Sequence, residues 1–197
     1  MFINHDIIPY LIFCYLIGSI PFGLLVSVTF KKNDPRLVGS KNIGATNITR
    51  ISGWKLGLMT LILDVLKGYI PIILLKQNQS FVDLMILFLF LGHLFPFWIK
   101  FKGGKGIAVI IGCLTAYNFF CGLIFVCTWL FVAVVSKYSS LSALVSSFLV
   151  LIFISFKQEQ LFWVMLLIVL MIFAKHLTNI KRLLRGEESK IVLKNKN

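Results

Sequence analysis

The run Gly39-Ser40-Lys41-Asn42-Ile43-Gly44-Ala45-Thr46-Asn47-Ile48-Thr49-Arg50 gathers glycine, hydroxyl, amide and guanidinium groups between two apolar segments. Glycine lets a backbone turn tightly and bring its N–H groups close to a ligand, and arginine presents a planar fork that matches phosphate. Gly39 and Gly44 supply the turns, Ser40, Asn42, Thr46 and Asn47 the neutral donors, and Arg50 the cation. A second run, Lys100-Phe101-Lys102-Gly103-Gly104-Lys105-Gly106, interleaves three lysines with three glycines and has the same capacity to surround an anion. It is not a nucleotide loop, because Gly106 follows Lys105 where Ser or Thr is needed and the G-x-x-x-x-G-K spacing is missing. The third cluster, Lys175-His176-Leu177-Thr178-Asn179-Ile180-Lys181-Arg182, puts His176 and Asn179 three residues apart, on one face if a helix continues through them. None of the three contains a carboxylate. A ligand with one or two phosphates is therefore expected, whereas Mg²⁺-dependent phosphotransfer, which needs acidic ligands, is disfavoured; no metal and no cofactor is expected.

The elements that must position these clusters are membrane helices. The 197 residues are 58% hydrophobic, 19 of them Phe, with mean hydropathy +0.92, which excludes a soluble domain of this size. The formal charge of +13 lies in short segments between apolar runs, where it orients the chain and meets anionic lipid, so membrane lipid and not nucleic acid is the expected partner. Cys14, Cys113, Cys121 and Cys127 sit within apolar runs and form no C-x-x-C pair, reading as small core residues. The first apolar run lacks a basic leader and a small-residue cleavage pattern, as a retained span would. One membrane domain over residues 1–197 is expected.

Residues 7–30 carry no charge over 24 positions, enough at about 1.5 Å each to cross a core roughly 30 Å thick. Within them Gly18-Ser19-Ile20-Pro21-Phe22-Gly23 predicts a kink or a close helix contact. The second span, 56–75, holds Asp64 and Lys67 at i, i+3, expected to pair either as a structural ion pair or as part of the site. The third, 84–99, ends in Gly92-His93-Leu94-Phe95-Pro96, where His93 is a core histidine or a residue near the site. Residues 106–136 are uncharged over 31 positions, about 46 Å as one helix, too long for one untilted span. Split in two near 117–122, they give seven spans and place 17 of the 20 Lys and Arg residues on one side, with Lys76 and Lys157 opposite and Lys67 within the membrane. A single span there would put the seven basic residues of the C-terminal tail on the far side, against the positive-inside rule. The expectation is an all-α integral membrane protein of seven transmembrane helices, N-terminus outside and C-terminus cytoplasmic, with spans six and seven at 138–156 and 160–174. The three polar clusters then share the cytoplasmic face, and the tail after Gly186 reads as a solvated basic end in which Glu187 is the acidic residue placed to pair with a site cation.

Gly18-Ser19-Ile20-Pro21-Phe22-Gly23, Gly39-Ser40-x-Asn42-x-Gly44-Ala45-Thr46-Asn47-x-x-Arg50, Gly92-His93-x-Phe95-Pro96 with Phe101-Lys102-Gly103-Gly104-Lys105-Gly106, and His176-x-x-Asn179-Ile180-x-Arg182 resemble, in order and spacing, the bacterial PlsY family of glycerol-3-phosphate acyltransferases. The resemblance implies an enzyme of the bacterial cytoplasmic (inner) membrane, with its active site on the cytoplasmic side. It would transfer a fatty acyl group from acyl phosphate to the 1-hydroxyl of sn-glycerol 3-phosphate in phospholipid biosynthesis, forming lysophosphatidic acid and phosphate. It places catalytic roles on Ser40, Arg50, Lys105, His176 and Asn179. Substrate-binding roles fall on Gly39, Asn42, Gly44, Thr46, Asn47, His93, Lys102, Gly103, Gly104 and Arg182. Lys41 departs from the family pattern, which more often has Gly there, so either the loop backbone suits a side chain or the added cation contributes. The other glycerophosphate acyltransferase class carries H-x-x-x-x-D; the residues five beyond each histidine here are Tyr10, Trp98 and Lys181, so a coenzyme A donor used through that dyad is unsupported. A phosphate transporter, the reading from a different class, would show charges spread through the spans and repeat symmetry, and only Asp64 and Lys67 lean that way. Oligomeric state is left open, a monomer being sufficient.

Overall fold

The computed structural model describes residues 7–77, 81–157 and 160–191, and every regular element among them is helical. Asp6, from which the first span was counted, and the basic tail beyond Ile191 lie outside the described residues. Contacts divide the chain into two compact units, one ending at Tyr117 and the other starting at Asn118.

In the first unit the opening span is built from two pieces. Helix α1 (Ile8–Gly18) carries Pro9 in its first turn, where the missing N–H has no intrahelical partner to lose. Pro21 then interrupts the ladder, and α2 (Phe22–Thr29) starts immediately after it. The expected kink at 18–23 is thus a break between two helices. Helix α3 (Ala45–Ser52) is short and polar, and Gly53 (φ 92°) turns the chain directly into α4 (Trp54–Leu75), a 22-residue helix about 33 Å long. Helix α5 (Val82–Leu94), a 3₁₀ turn (Phe97–Ile99) and α6 (Ile107–Tyr117) complete the unit.

Two helix crossings organise it, and both are made by glycine. A Cβ on Gly18 would collide with the Leu89 carbonyl and one on Gly92 with the Tyr15 carbonyl, so α1 and α5 touch backbone to backbone. Gly68 and Gly112 bring α4 and α6 together in the same way, against the carbonyls of Val109 and Val65. Without a hydrophobic driving force between helices in lipid, such close approach maximises dispersion contact. Ile72, Met85, Ile86, Leu89, Phe90 and Ile110 fill the buried interior around these crossings.

In the second unit, α7 (Phe119–Ser136), α8 (Ser139–Lys157), α9 (Phe162–Lys175) and α10 (Leu177–Leu184) follow one another, with α8 packed on both α7 and α9 and α10 lying against α8 and α9. Asn118 divides the long uncharged run: its Oδ1 accepts from the Phe120 N–H at 2.9 Å and starts α7. The halves are unequal, since α6 has 11 residues, about 16 Å, and α7 has 18. Small buried serines (Ser140, Ser142, Ser146, Ser147) line the inner face of α8.

Among the described residues, five segments are long and apolar enough to cross a membrane: Ile8–Thr29, Trp54–Leu75, Val82–Ile99, Phe119–Ser136 and Ser139–Phe156. Helices α9 and α10 qualify together as a sixth, bent by 58° at His176, and α6 is too short by this measure. Outward residues such as Ile12, Phe13, Ile62, Phe131, Val134 and Trp163 are exposed and apolar, as a lipid-facing surface requires. This is an integral membrane protein.

Candidate active site

The loop between α2 and α3 opens with an exposed fork: Arg36 Nε and Nη2 reach the two Asp34 oxygens at 2.7–3.1 Å, and these hydrogen bonds hold the Asp34 carboxyl below its ordinary pKa. Residues 35–47 then wrap around one side chain. Asn47, 1% exposed, accepts at Oδ1 from the Ser40 N–H (2.9 Å). Its Nδ2 donates to the carbonyls of Pro35 (3.0 Å), Val38 (3.1 Å) and Asn42 (2.9 Å). The sequence offers this amide as a ligand donor; in the fold both of its ends face inward and shape the loop. Gly39 lies over Asn47 with φ 66°, where a Cβ would strike Oδ1, so this position requires glycine. Gly44 caps α3, leaving the positive end of the helix dipole at Ala45 with no acidic residue in the first turn. Ser40, Asn42 and Gly44 are half-buried, Thr46 is exposed, and Arg50 is exposed in the last turn of α3.

Lys41 has φ 57°, the left-handed conformation. Here a lysine bears a cost of about 1–2 kcal/mol that glycine would not.

The glycine loop after α5 is pinned from below. Tyr15 Oη donates to the Phe95 carbonyl at 2.7 Å and Trp98 Nε1 donates to Ser19 Oγ at 2.7 Å, both tying the turn to α1 and its end. Lys100 and Phe101 both take left-handed conformations, reversing the chain so that the Gly103 N–H reaches the Leu94 carbonyl (3.2 Å) and the Gly104 N–H reaches the His93 carbonyl (3.1 Å). A Cβ on Gly104 would overlap His93 Nε2, so the loop lies directly on the imidazole. His93 itself is 5% exposed, its Nδ1 3.0 Å from Lys67 Nζ, and Lys67 pairs with Asp64 at 2.7 Å. The expected i, i+3 pair on α4 is present, and the core reading of His93 fits its burial. Lys102 is exposed and Lys105 half-buried.

In the second unit His176 stands at the bend between α9 and α10. It is 2% exposed, and its Nδ1 lies 2.8 Å from the Ile172 carbonyl. A carbonyl only accepts, so Nδ1 carries the proton and Nε2 the lone pair of the neutral ring. Asn179, also buried, donates through Nδ2 to Glu188 Oε1 at 2.7 Å. The same oxygen accepts from Ser140 Oγ (2.8 Å), and Arg182 Nε meets Oε2 at 2.7 Å. The sequence pointed to Glu187 as the acidic partner and to a solvated tail. Instead Gly186 (φ 71°) turns the chain back, Glu187 stays exposed, and Glu188 closes the cluster, with the Ile191 N–H on the Lys137 carbonyl. Burial pushes the Glu188 carboxyl up, but hydrogen bonds from Asn179, Arg182 and Ser140 together with the guanidinium charge outweigh it and leave its pKa below the ordinary value. Glu188 and Ser140 are the residues that sequence reasoning missed; the turn-forming Gly186 beside an acidic pair was the available signal. Helices α8, α9 and α10 also border an open apolar cleft of about 450 Å³ lined by Leu144, Phe148, Phe173, Ile180 and Leu183 among others. Among the described residues no three His, Cys, Asp or Glu side chains converge as a metal set would.

The fold and loops thus define an all-helical membrane protein with two glycine-rich loops in its first unit and, in its second, a buried His176 and an Asn179–Glu188–Arg182 cluster. Residues 8–186 match the family described as glycerol-3-phosphate acyltransferase. Among similar proteins, the glycerol-3-phosphate acyltransferase of Francisella tularensis subsp. mediasiatica is 44% identical over 194 residues (96% of this chain, 94% of the relative). That of Bartonella quintana is 43% identical over 190 residues (92% and 90%). The crystal structure of PlsY, an integral membrane glycerol 3-phosphate acyltransferase, in its glycerol 3-phosphate form superposes with TM-score 0.88 at 33% identity, covering 95% of this chain and 96% of that one. Its lysophosphatidic acid form gives 0.85 at 32% identity. The chain belongs to the glycerol-3-phosphate acyltransferase family of the PlsY type.

Substitutions at Lys41 and Glu188 test the loop and the cluster. Lys41→Gly removes left-handed strain of about 1–2 kcal/mol and adds about 0.5–1 kcal/mol of chain entropy, so stability is unchanged or rises by up to about 1.5 kcal/mol and kcat/KM is retained. Lys41→Val, with a branched side chain at the same φ, loses about tenfold or more in kcat/KM. Equal losses in both variants would assign the position's importance to the ammonium. For Glu188→Ala, unpairing Asn179, Arg182 and Ser140 costs about 1.5–3 kcal/mol of stability in detergent. Because the folded pKa of Glu188 is depressed, its ionic contribution is complete above the ordinary carboxylate pKa and lost as pH falls through the folded value. The melting-temperature gap between parent and Glu188→Gln should therefore be constant near neutrality and close in acid; a gap that widens in acid would contradict the assignment.

Proposed function

We propose that this protein transfers a fatty acyl group from acyl phosphate to the 1-hydroxyl of sn-glycerol 3-phosphate, giving lysophosphatidic acid and phosphate. The observation that carries the reading is the likeness, over 95% of the chain, to a PlsY solved in glycerol 3-phosphate and lysophosphatidic acid forms. The acyl phosphate donor is supported by two loops suited to phosphate and by the lack of an H-x-x-x-x-D dyad to serve a thioester. An ester bond forms between glycerol O1 and the acyl carbon, the bond from that carbon to the phosphate oxygen breaks, and the hydroxyl proton ends on the released phosphate. Arg50, Lys105 and loop amides neutralise the charge that develops on phosphate and carbonyl oxygens. Asn47 shapes the loop that presents Ser40, while His176 and Asn179 orient the acceptor, His176 through the lone pair on Nε2. No acyl-enzyme forms on Ser40: acyl phosphate already carries a good leaving group, so positioning is enough. The apolar cleft beside α10 suits a hydrocarbon chain. One acyltransferase domain spans both units, and the membrane is the bacterial cytoplasmic one. Counting the short α6 as a crossing gives seven spans, with the basic loops and the tail on the cytoplasmic face.

The test supplies purified protein with glycerol 3-phosphate and either acyl phosphate or acyl coenzyme A. Lysophosphatidic acid should form from the first donor only, and the reverse preference would refute the reading. Arg50→Ala and Lys105→Ala each remove a charge-assisted contact of about 1.5–3 kcal/mol and so lose about 10- to 100-fold in kcat/KM. Radiolabelled acyl phosphate without acceptor should leave no label on the denatured protein; label absent only in Ser40→Ala would establish an acyl-enzyme. Topology is checked separately: a cysteine replacing the exposed Lys55, in a background without the native cysteines, should resist an impermeant reagent applied outside intact cells and react after lysis.

A further inference from the structure

Lys67 is left unused by the roles above, yet its buried ammonium makes three polar contacts. Its side chain is 2% exposed within an apolar helix, and its Nζ meets three acceptors: Asp64 Oδ1 at 2.7 Å, the Ile20 carbonyl at 2.7 Å and His93 Nδ1 at 3.0 Å. The contacts to the Ile20 carbonyl and to His93 are hydrogen bonds, and the contact to Asp64 is an ion pair. An ion pair with Asp64 alone would explain how a lysine tolerates burial. It does not explain the other two contacts.

Each of those leads to one of the anion loops. Ile20 precedes Pro21 at the break in the first span. In a continuous helix its carbonyl would take the Leu24 N–H, but Leu24 bonds to the Pro21 carbonyl at 3.0 Å instead. The Ile20 carbonyl is left to Lys67 and to the Phe22 N–H at 3.1 Å. From that break α2 runs to the first loop, and Gly23 abuts it so closely that a Cβ there would collide with the Ile43 carbonyl. On the other side, Lys67 meets His93 at Nδ1, and Gly104 lies over Nε2 of the same ring. The His93 carbonyl receives the Gly104 N–H.

We propose that Lys67, neutralised by Asp64, is a positioning residue that fixes the two loops relative to each other, by joining the break that launches α2 to the histidine on which the glycine loop rests. This inference relies on the reading of the loops as the glycerol 3-phosphate site. Lys67 touches no substrate; it acts through Ile20 and His93.

The test compares the full-length parent with Lys67→Met/Asp64→Leu, which removes both charges so that neither is buried unpaired. Three readouts are taken in detergent: amide hydrogen exchange of the peptide containing Gly103 and Gly104, the steady-state constants with acyl phosphate and varied glycerol 3-phosphate, and the melting temperature. The expected result is about tenfold faster exchange in that peptide and a KM for glycerol 3-phosphate raised about tenfold, with a smaller change in kcat. Unchanged exchange and KM would overturn the proposal. So would a lowered melting temperature with KM unchanged, the mark of a merely structural pair. Should the double variant fail to fold, Lys67→Gln/Asp64→Asn keeps shape and polarity and carries the same expectations. A parent that acylates no glycerol 3-phosphate would refute the function reading instead, and the exchange comparison would still decide the role of Lys67.

Discussion

A polypeptide in a hydrocarbon layer must satisfy its own backbone, because no water is present to accept or donate where a helix breaks. The opening span breaks at Pro21, and the carbonyl this frees at Ile20 takes its donor from Lys67 on another helix. The same constraint recurs at the edges of the first unit. The irregular chain at 35–42 gives its carbonyls to a single buried amide, Asn47, and Phe95, at the end of α5, gives its carbonyl to Tyr15. Side chains from regular helices thus hold the irregular segments.

The second unit solves a related problem with a carboxylate. Helices α9 and α10 meet at a sharp bend, and the tail returns to place Glu188 against Ser140, Asn179 and Arg182, which sit on α8 and α10. A single acidic group with four lone-pair positions gathers three donors. Hydrogen bonds from Asn179, Arg182 and Ser140, with the guanidinium charge, hold its pKa below the ordinary value, and Asn179 is fixed in orientation as a result.

Much of this was legible in residue types and spacings. Apolar runs marked most of the spans, Pro21 marked the break, and the i, i+3 spacing of Asp64 and Lys67 marked their pairing, because each depends on neighbours along the chain. The division of the long apolar run was readable from its length, but its position at Asn118 needed the side-chain cap. Asn47 and His93 were found as special positions, whereas their inward orientation was hidden. A polar side chain in a glycine-rich loop has equal chemical reason to face a ligand or the carbonyls of its own loop, and only tertiary packing decides. Glu188 was passed over for Glu187 because the reversal at Gly186 shifts which of two adjacent carboxylates faces the helices, and sequence periodicity does not extend through a turn.

The two glycine crossings also bear on how such a protein changes over generations. Lipid-facing positions such as Ile12, Ile62 and Phe131 are free to drift among apolar residues, since hydrocarbon accepts any of them at similar cost. Gly18, Gly68, Gly92 and Gly112 have no such neighbouring variants, because even one methyl group would meet a main-chain carbonyl of the opposing helix. The spacing of α1 from α5 and of α4 from α6 is consequently inherited as a fixed quantity, and adaptation to membranes of different thickness or fluidity is left to the outer surface and the lengths of the helix ends.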